Sequence, residues 1–266
     1  MGLIAYSKLF PQFAIDCGDN EGFPISFHDT IFLIDSLLHV MNLSLPIQDS
    51  DTATIAFSSS GECPICYKES RLIILNCEKS YWCQVIYQLA HEMCHLMIPG
   101  EVAENLKWLE ESICELSSYI FLPKIKKYWL RLAAAASIDQ VKASYAPFFE
   151  EYVLDDQLKS EAFDLASLIG NPDSNELSSL ISDCCMRNKN AYVAINLLPI
   201  FKALPLTWHA VPYLGAISPN QSLSASLKQW IELSPTDSHM GLQKIANLFG
   251  APASLAPDLL SHNLES

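Results

Sequence analysis

The sequence predicts an α+β fold, with a small mixed sheet and two central helices in residues 1–135 and a mostly α-helical region packing on this core in residues 136–266. Three observations lead to this prediction. Two short β-branched runs lie at residues 52–57 and 71–76. Near Ser80 the spacing of apolar residues changes to that of a helix, and it stays helical for most of the remaining chain. Half of the residues are apolar, enough for one core or two closely packed ones, so the alternative of a single domain stays open.

The elements before the central helices follow from local patterns. A first helix is predicted over residues 26–41, where apolar residues recur at helical spacing. Two strands follow, and both are short runs rich in β-branched residues: Thr52–Phe57 (TATIAF) and Arg71–Asn76 (RLIILN). We expect them to contribute to a sheet of two or three strands.

Two central helices come next. The first is predicted from Ser80 to Met97 and is ended by Pro99 and Gly100. The second begins near Glu101 and is expected to end at a proline, position 123, because proline inside a helix removes a hydrogen bond. Helical spacing predicts six further helices, over residues 125–136, 146–168, 176–186, 191–203, 223–233 and 241–249.

Charge and cysteine content restrict the partners and the compartment. The chain carries 16 Lys and Arg against 30 Asp and Glu, a formal charge of −14. Because this charge opposes binding to phosphate backbones and anionic lipids, we expect neither nucleic acid nor a membrane as a partner. The N-terminus lacks the pattern of a signal peptide, and nine cysteines, an odd number, favour free thiols in a reducing compartment. The sequence therefore predicts a cytoplasmic protein and leaves its oligomeric state open.

The stretch QLAHEMCHLMI, residues 88–98, places two histidines and a glutamate inside the first central helix. Residues four apart project from one helix face, so His91 and His95 can direct both imidazoles at one divalent metal ion. Glu92 lies beside that face, where its carboxylate can reach a metal-bound water without ligating the ion. Ionisable groups are costly in an apolar helix, and a metal would satisfy both histidines. The alternative is a pair of core histidines bonded to backbone, with Glu92 exposed.

The second central helix offers the third protein ligand that a catalytic zinc ion needs. Glu111 and Glu115 share a face with Trp108, which is unusual for a solvated surface but expected if Glu111 binds the metal. Glu115 would then accept a hydrogen bond from a ligating histidine and fix its tautomer. Glu110, rotated by about 100° from its neighbour, should point elsewhere. Two alternatives stay open: Glu115 is the ligand, or all three glutamates are surface charges.

Together, LAHEMCHLMIPG and WLEESICELSSYIF resemble the gluzincin metallopeptidases, thermolysin-like enzymes with HExxH on one helix and a glutamate ligand on the next. The resemblance covers residues 71–121 and is closest to the compact members called minigluzincins. It implies that His91, His95 and Glu111 bind Zn2+ and that Glu92 is the general base. Glu115 matches the acidic residue four positions after the glutamate ligand.

The resemblance also implies a substrate-binding strand and a residue that stabilises the oxyanion. In the family an edge strand just before the motif helix pairs with an extended substrate, and that place is occupied by Arg71, Leu72, Ile73, Ile74, Leu75 and Asn76. The oxyanion partner is a His or Tyr that no local motif identifies. Three residues are candidates: His209, Tyr192 and Tyr213.

The sequence departs from the family pattern at three points: the spacer between His95 and Glu111 is shorter than in thermolysin, Ser112 stands where many relatives have glycine, and no motif locates the oxyanion partner. The implied function is zinc-dependent hydrolysis of a peptide or protein substrate. Glu92 would take a proton from the zinc-bound water and pass it to the leaving amine. The alternative is a protein that keeps the zinc fold but acts by binding a partner, with little or no hydrolysis.

A separate signal is CPIC, Cys63 to Cys66, followed by Cys77 and Cys83. Four thiolates can hold a structural zinc ion, although the last two cysteines are separated by five residues where a zinc ribbon has two. Free thiols that are buried or lie in turns are the alternative.

Overall fold

The computed structural model of the protein describes residues 4–16, 27–58, 63–170 and 175–251. It is an α+β fold, as predicted, with a five-stranded sheet in the N-terminal part and a mostly helical C-terminal half. The strands are β1 (Ile4–Tyr6), β2 (Phe13–Asp16), β3 (Ala53–Ser58), β4 (Ile65–Tyr67) and β5 (Leu72–Asn76). The α-helices are α1 (Phe27–Asn42), α2 (Trp82–Leu96), α3 (Lys107–Ala134), α4 (Gln140–Tyr145), α5 (Phe148–Gln157), α6 (Ser167–Gly170), α7 (Asn175–Ser182), α8 (Arg187–Ala203), α9 (Leu223–Leu233) and α10 (His239–Leu248). Three 3-10 helices cover Glu104–Leu106, Pro205–Ala216 and Thr236–Ser238.

The sheet has the strand order β1-β2-β3-β5-β4. β2, β3 and β5 are parallel, and antiparallel strands lie at both edges. Alternate residues of the inner strands are fully buried: Phe13, Ile15, Ile55, Ile73 and Leu75. β3 and β5 correspond to the two predicted strands. The other three have only three or four residues, too few for an alternating pattern to be recognised.

β5 is not the edge strand that residues 71–76 were expected to form. Leu72, Ile73 and Ile74 pair with β3 on one side and with β4 on the other. Arg71 precedes the strand at a φ of 54°, and its Nε donates to the Thr52 carbonyl at 2.8 Å. The edge expectation is therefore wrong, because the hairpin that leads into β5 folds back and covers its outer side. The edge position on this side of the sheet belongs to β4.

α3 does not end at Pro123, as the sequence predicts, but continues with the proline inside the helix and includes the helix predicted over 125–136. A proline inside a helix costs about 3 kcal/mol. Fully buried side chains flank it, among them Leu122, Ile125 and Trp129. Burial of each contributes about 1.5–3 kcal/mol, and α3 packs on α1, α2, α5 and α8. Tertiary packing therefore outweighs the local preference for a break.

Two buried serines fix α3 against α2. Ser117 Oγ donates to the Ala90 carbonyl at 2.8 Å, and Ser118 Oγ donates to the Tyr87 carbonyl at 2.7 Å. Small side chains let the two backbones approach closely, and these bonds fix which residues lie opposite each other. The glutamates of α3 consequently face the histidines of α2.

The C-terminal helices pack on the same central helix, since α5 and α8 both contact α3. The helix predicted over 146–168 is shorter than expected and consists of α5 followed by the one-turn α6. α9 and α10 lie close to their predicted ranges. None of the helices in the described part of the chain is long and apolar enough to span a bilayer.

Candidate metal centre

Three side chains from α2 and α3 converge on one point. His91 Nε2 and His95 Nε2 lie 3.2 Å apart. The carboxylate of Glu111 approaches both atoms, with Oε2 at 3.2 Å from His91 Nε2 and Oε1 at 3.5 Å from His95 Nε2. The structure thus brings together the three residues that the sequence predicts as metal ligands.

The Nδ1 atom of each imidazole, on the ring side away from the shared point, contacts a different carboxylate. His91 Nδ1 lies 3.3 Å from Glu115 Oε2, and His95 Nδ1 lies 2.8 Å from Glu110 Oε1. Both glutamates are buried. A carboxylate in this position fixes the ring orientation and favours the tautomer whose Nε2 carries the lone pair. The alternative reading of all three glutamates as surface charges is therefore wrong.

Glu110 was expected to point away from the site, and this expectation is wrong. Besides His95, it accepts a hydrogen bond from Lys68 Nζ at 2.7 Å. Because α2 and α3 face each other along their length, Glu110 and Glu115 lie on the two sides of Glu111 and each reaches one histidine. The sequence shows a second glutamate directly before Glu111, which could have indicated a contact with a histidine. The sequence does not give the relative placement of the two helices, so that contact could not be predicted.

The donor atoms fit a tetrahedral zinc ion. Tetrahedral ligand atoms at 2.0–2.1 Å from zinc lie about 3.3 Å apart. The three separations measured here are 3.2, 3.2 and 3.5 Å. With both Nδ1 atoms facing carboxylates, two nitrogen lone pairs and a third carboxylate meet at this distance, and they repel unless a cation lies between them. A proton or a metal ion can supply that charge, and the donor set is one typical of catalytic zinc.

Cys114 is a second candidate for the third ligand. Its Sγ and one nitrogen from each imidazole all lie within 4.8 Å of one another. Burial raises the pKa of this thiol well above its usual value, with Cys94 adding to the shift, so the thiol is held in its protonated form. Only the thiolate is a good ligand. Glu111 contacts both Nε2 atoms directly, and this geometry favours Glu111 over Cys114 as a third ligand.

The electrostatics of the cluster follow from these contacts. Burial lowers the pKa of His91 and of His95, but the neighbouring carboxylates outweigh it and raise the pKa of His91 well above its usual range and that of His95 to about 9. Burial raises the pKa of Glu111, and the two histidines outweigh it and lower that pKa strongly. The cluster therefore attracts positive charge.

Glu92 is buried, with 4% of its surface exposed, so the alternative with an exposed Glu92 is wrong. Burial raises the pKa of its carboxyl group, while His91 and His95 oppose the shift. Burial also raises the pKa of the Cys66 thiol to about 12, and the Glu92 carboxylate is the next largest cause. The Glu92 carboxyl group therefore interacts electrostatically with both histidines and with the Cys66 thiol on β4.

A cleft of about 520 Å³ opens between the metal-site residues and β4. Its lining includes His95, Glu110 and Glu111 from the two central helices, and Cys66, Tyr67 and Lys68 from β4 and the turn after it. On β4, Ile65 is 41% exposed and Tyr67 is 47% exposed. An accessible strand edge thus lies along one wall of the cleft.

No family model, curated protein or solved structure matches the chain. The chemistry of the site is therefore the basis on which a function is inferred.

The three candidates for the oxyanion partner lie in the C-terminal region. His209 Nδ1 lies 3.2 Å from Asp237 Oδ2, and Tyr192 packs against the Phe163 ring with centroids 5.4 Å apart. Tyr213 is partly exposed and lies on the 3-10 helix that contacts the loop after α2. Among the residues that the structure describes, no hydrogen bond, ion pair or ring contact joins any of the three to the metal-site residues. The oxyanion assignment stays a prediction.

The four cysteines of the alternative zinc site are not brought together. Cys63 is exposed, Cys66 is half-buried, and Cys77 and Cys83 are buried. Within the described ranges, the one group of His, Cys, Asp and Glu that is close enough to hold a metal ion is the cluster at His91. The reading as free thiols fits these positions.

Proposed function

We propose that this protein is a zinc-dependent metallopeptidase of the gluzincin type that hydrolyses a peptide or protein substrate. The observation that carries the proposal is the set of 3.2, 3.2 and 3.5 Å separations among His91 Nε2, His95 Nε2 and the Glu111 carboxylate. β4, His95 and Glu111 line the same cleft, and Glu92 is buried next to His91 in the sequence of α2.

In this proposal His91, His95 and Glu111 hold Zn2+, while Glu115 and Glu110 keep the two rings aligned. With the ion bound, the chemistry that it supplies is polarisation of a carbonyl and acidification of a water molecule. The residues of the chain account for the remaining steps.

Glu92 is the general base. Its burial raises the pKa of the carboxyl group toward the range in which it can accept a proton from water and then donate it to the leaving amine. A buried base also competes with little bulk water, so the proton it takes up stays within the site.

The substrate backbone adds to the sheet along β4, replacing the earlier expectation for residues 71–76. Within the described part of the chain, β4 has one strand neighbour, β5, so its other side can accept an extended peptide through main-chain hydrogen bonds. A peptide in that position runs along the wall of the cleft that faces the histidines.

Zinc content and peptide cleavage together test the proposal. We expect wild type and Glu92→Gln to hold one zinc ion per chain, His95→Ala to hold none, and only wild type to cleave a mixture of unstructured peptides. Loss of a positioned general base lowers the rate by about 100- to 10,000-fold. Glu101→Gln is a matched control, because Glu101 lines the same cleft but is exposed, and it should retain activity.

Three results would count against the proposal in different ways. A wild-type protein that binds no zinc would refute the metal centre, and an active Glu92→Gln variant would refute the role of Glu92 as the general base. A zinc-loaded wild type that cleaves nothing favours the alternative in which the zinc fold binds a partner without hydrolysis.

A further inference from the structure

A chain of buried contacts leads away from the metal site through residues that do not line the cleft. It begins at His91 Nδ1, which lies 3.3 Å from Glu115 Oε2. The other oxygen of Glu115 contacts the hydroxyl of Tyr87. The same hydroxyl lies 2.6 Å from Asp156 Oδ2, so its single proton is shared between two carboxylate oxygens. One phenol therefore joins the carboxylate behind a histidine to a carboxylate on a different helix.

The three residues beyond His91 come from three helices. Tyr87 precedes His91 by four residues on α2, Glu115 lies on α3, and Asp156 lies on α5 in the C-terminal region. Their exposed fractions are 4%, 5% and 9%. Hydrogen bonds among groups so well shielded from water are strong, and each partner limits the movement of the next.

Two buried carboxylates this close would repel each other without compensation. Lys159 Nζ lies 3.1 Å from Asp156 Oδ1, and Tyr119 donates to Asp156 Oδ2 at 3.0 Å. Arg187, at the start of α8, also lies near the cluster: burial lowers its pKa, but Glu115, Tyr87 and Asp156 outweigh this and raise it. Cationic and hydroxyl groups therefore surround the two carboxyl groups and offset their mutual repulsion.

We propose that Tyr87 and Asp156 are positioning residues for the metal site, and this inference rests on the proposed zinc centre. Tyr87 holds one oxygen of Glu115 so that the other stays directed at His91 Nδ1, and Asp156 holds Tyr87 in place. The C-terminal region then contributes to metal binding through α5.

Tyr119 provides a matched comparison within the same cluster. Tyr87 and Tyr119 are both buried, and each has its hydroxyl within hydrogen-bond distance of Asp156 Oδ2. Only the hydroxyl of Tyr87 also contacts Glu115. A purely structural network would respond similarly to loss of either hydroxyl, whereas a positioning role requires the metal site to respond to Tyr87 alone.

The test compares Tyr87→Phe with Tyr119→Phe in the full-length protein. Zinc dissociation constants are measured by competition with a chromophoric chelator, and visible spectra are recorded after cobalt(II) is bound in place of zinc. Partners of ligating histidines usually contribute 10- to 100-fold to affinity, so we expect Tyr87→Phe to weaken zinc binding about tenfold and to alter the cobalt spectrum. Tyr119→Phe should retain the wild-type affinity and spectrum, even if both variants lose similar thermal stability.

Equal zinc affinities for the two variants, with an unchanged cobalt spectrum, would overturn the positioning role while leaving the proposed function intact. A wild type that binds no zinc would instead overturn both. If Tyr87→Phe does not fold, Asp156→Asn takes its place against Tyr119→Phe, with weaker zinc binding supporting the role and unchanged binding refuting it.

Discussion

Replacing Glu110 by glutamine tests the least expected feature of the site, the carboxylate behind His95. Glu110 Oε1 lies 2.8 Å from His95 Nδ1 and 2.7 Å from Lys68 Nζ, and the residue is 6% exposed. Glutamine keeps the length and shape of the side chain but removes its charge. His95 therefore loses a charge-assisted hydrogen bond, while α3 keeps its packing.

The expected loss of zinc affinity follows from this geometry. Removing the partner of a ligating histidine usually weakens metal binding 10- to 100-fold. We expect the upper part of that range, because the side chains of His95 and Glu110 are only 13% and 8% exposed, so solvent screens the contact little. A hundredfold loss corresponds to about 2.8 kcal/mol, since each tenfold change is about 1.4 kcal/mol.

Two control variants separate the contact with His95 from the ion pair with lysine. Glu104 also pairs with a lysine, Lys107, at 2.7 Å, but its side chain is 84% exposed, so Glu104→Gln should leave zinc affinity unchanged. Lys68→Met removes the other partner of Glu110 and should weaken zinc binding less than Glu110→Gln does. Chelator competition near neutral pH measures all three variants. An unchanged affinity in Glu110→Gln, or an equal loss in Lys68→Met, would refute the assigned role of Glu110.

Two further predictions concern protons and packing. Without metal the neighbouring carboxylates raise the pKa of His95 to about 9 and that of His91 well above its usual range, so binding of zinc near pH 7 should release protons, which calorimetry in buffers of different ionisation enthalpy would count; no release would contradict this prediction. The raised pKa values also stabilise the metal-free protein. This stabilisation is fully present below about pH 6.5, the usual pKa of histidine, and is lost as the pH rises through about 9, the pKa of His95 in the folded protein. A Cβ at Gly215 would lie 2.0 Å from the Pro99 carbonyl oxygen, so Gly215→Ala should destabilise the fold by about 1–3 kcal/mol in urea unfolding. Gly170→Ala, whose Cβ would meet no atom of the described residues within 4 Å, should have little effect, and equal effects of the two would contradict the packing argument.

The sequence by itself determined the local structure of the site. Helical spacing places His91 and His95 on one face of α2, because residues four apart project in the same direction. The acidic residues Glu111 and Glu115 on an otherwise buried helix indicated a polar contact there. The α+β fold class followed in the same way, since the period of apolar residues encodes helix or strand within a few residues.

Only the tertiary structure decided which elements lie beside each other. The edge position of β4 depends on the fold of a hairpin, and the continuation of α3 through Pro123 depends on the helices packed around it. The contact of Glu110 with His95 depends on the facing of two helices that local sequence does not specify. The link from Tyr87 to Asp156 joins residues 69 positions apart in the chain. Such contacts form because burial of apolar surface brings distant segments together, and no local pattern records the result.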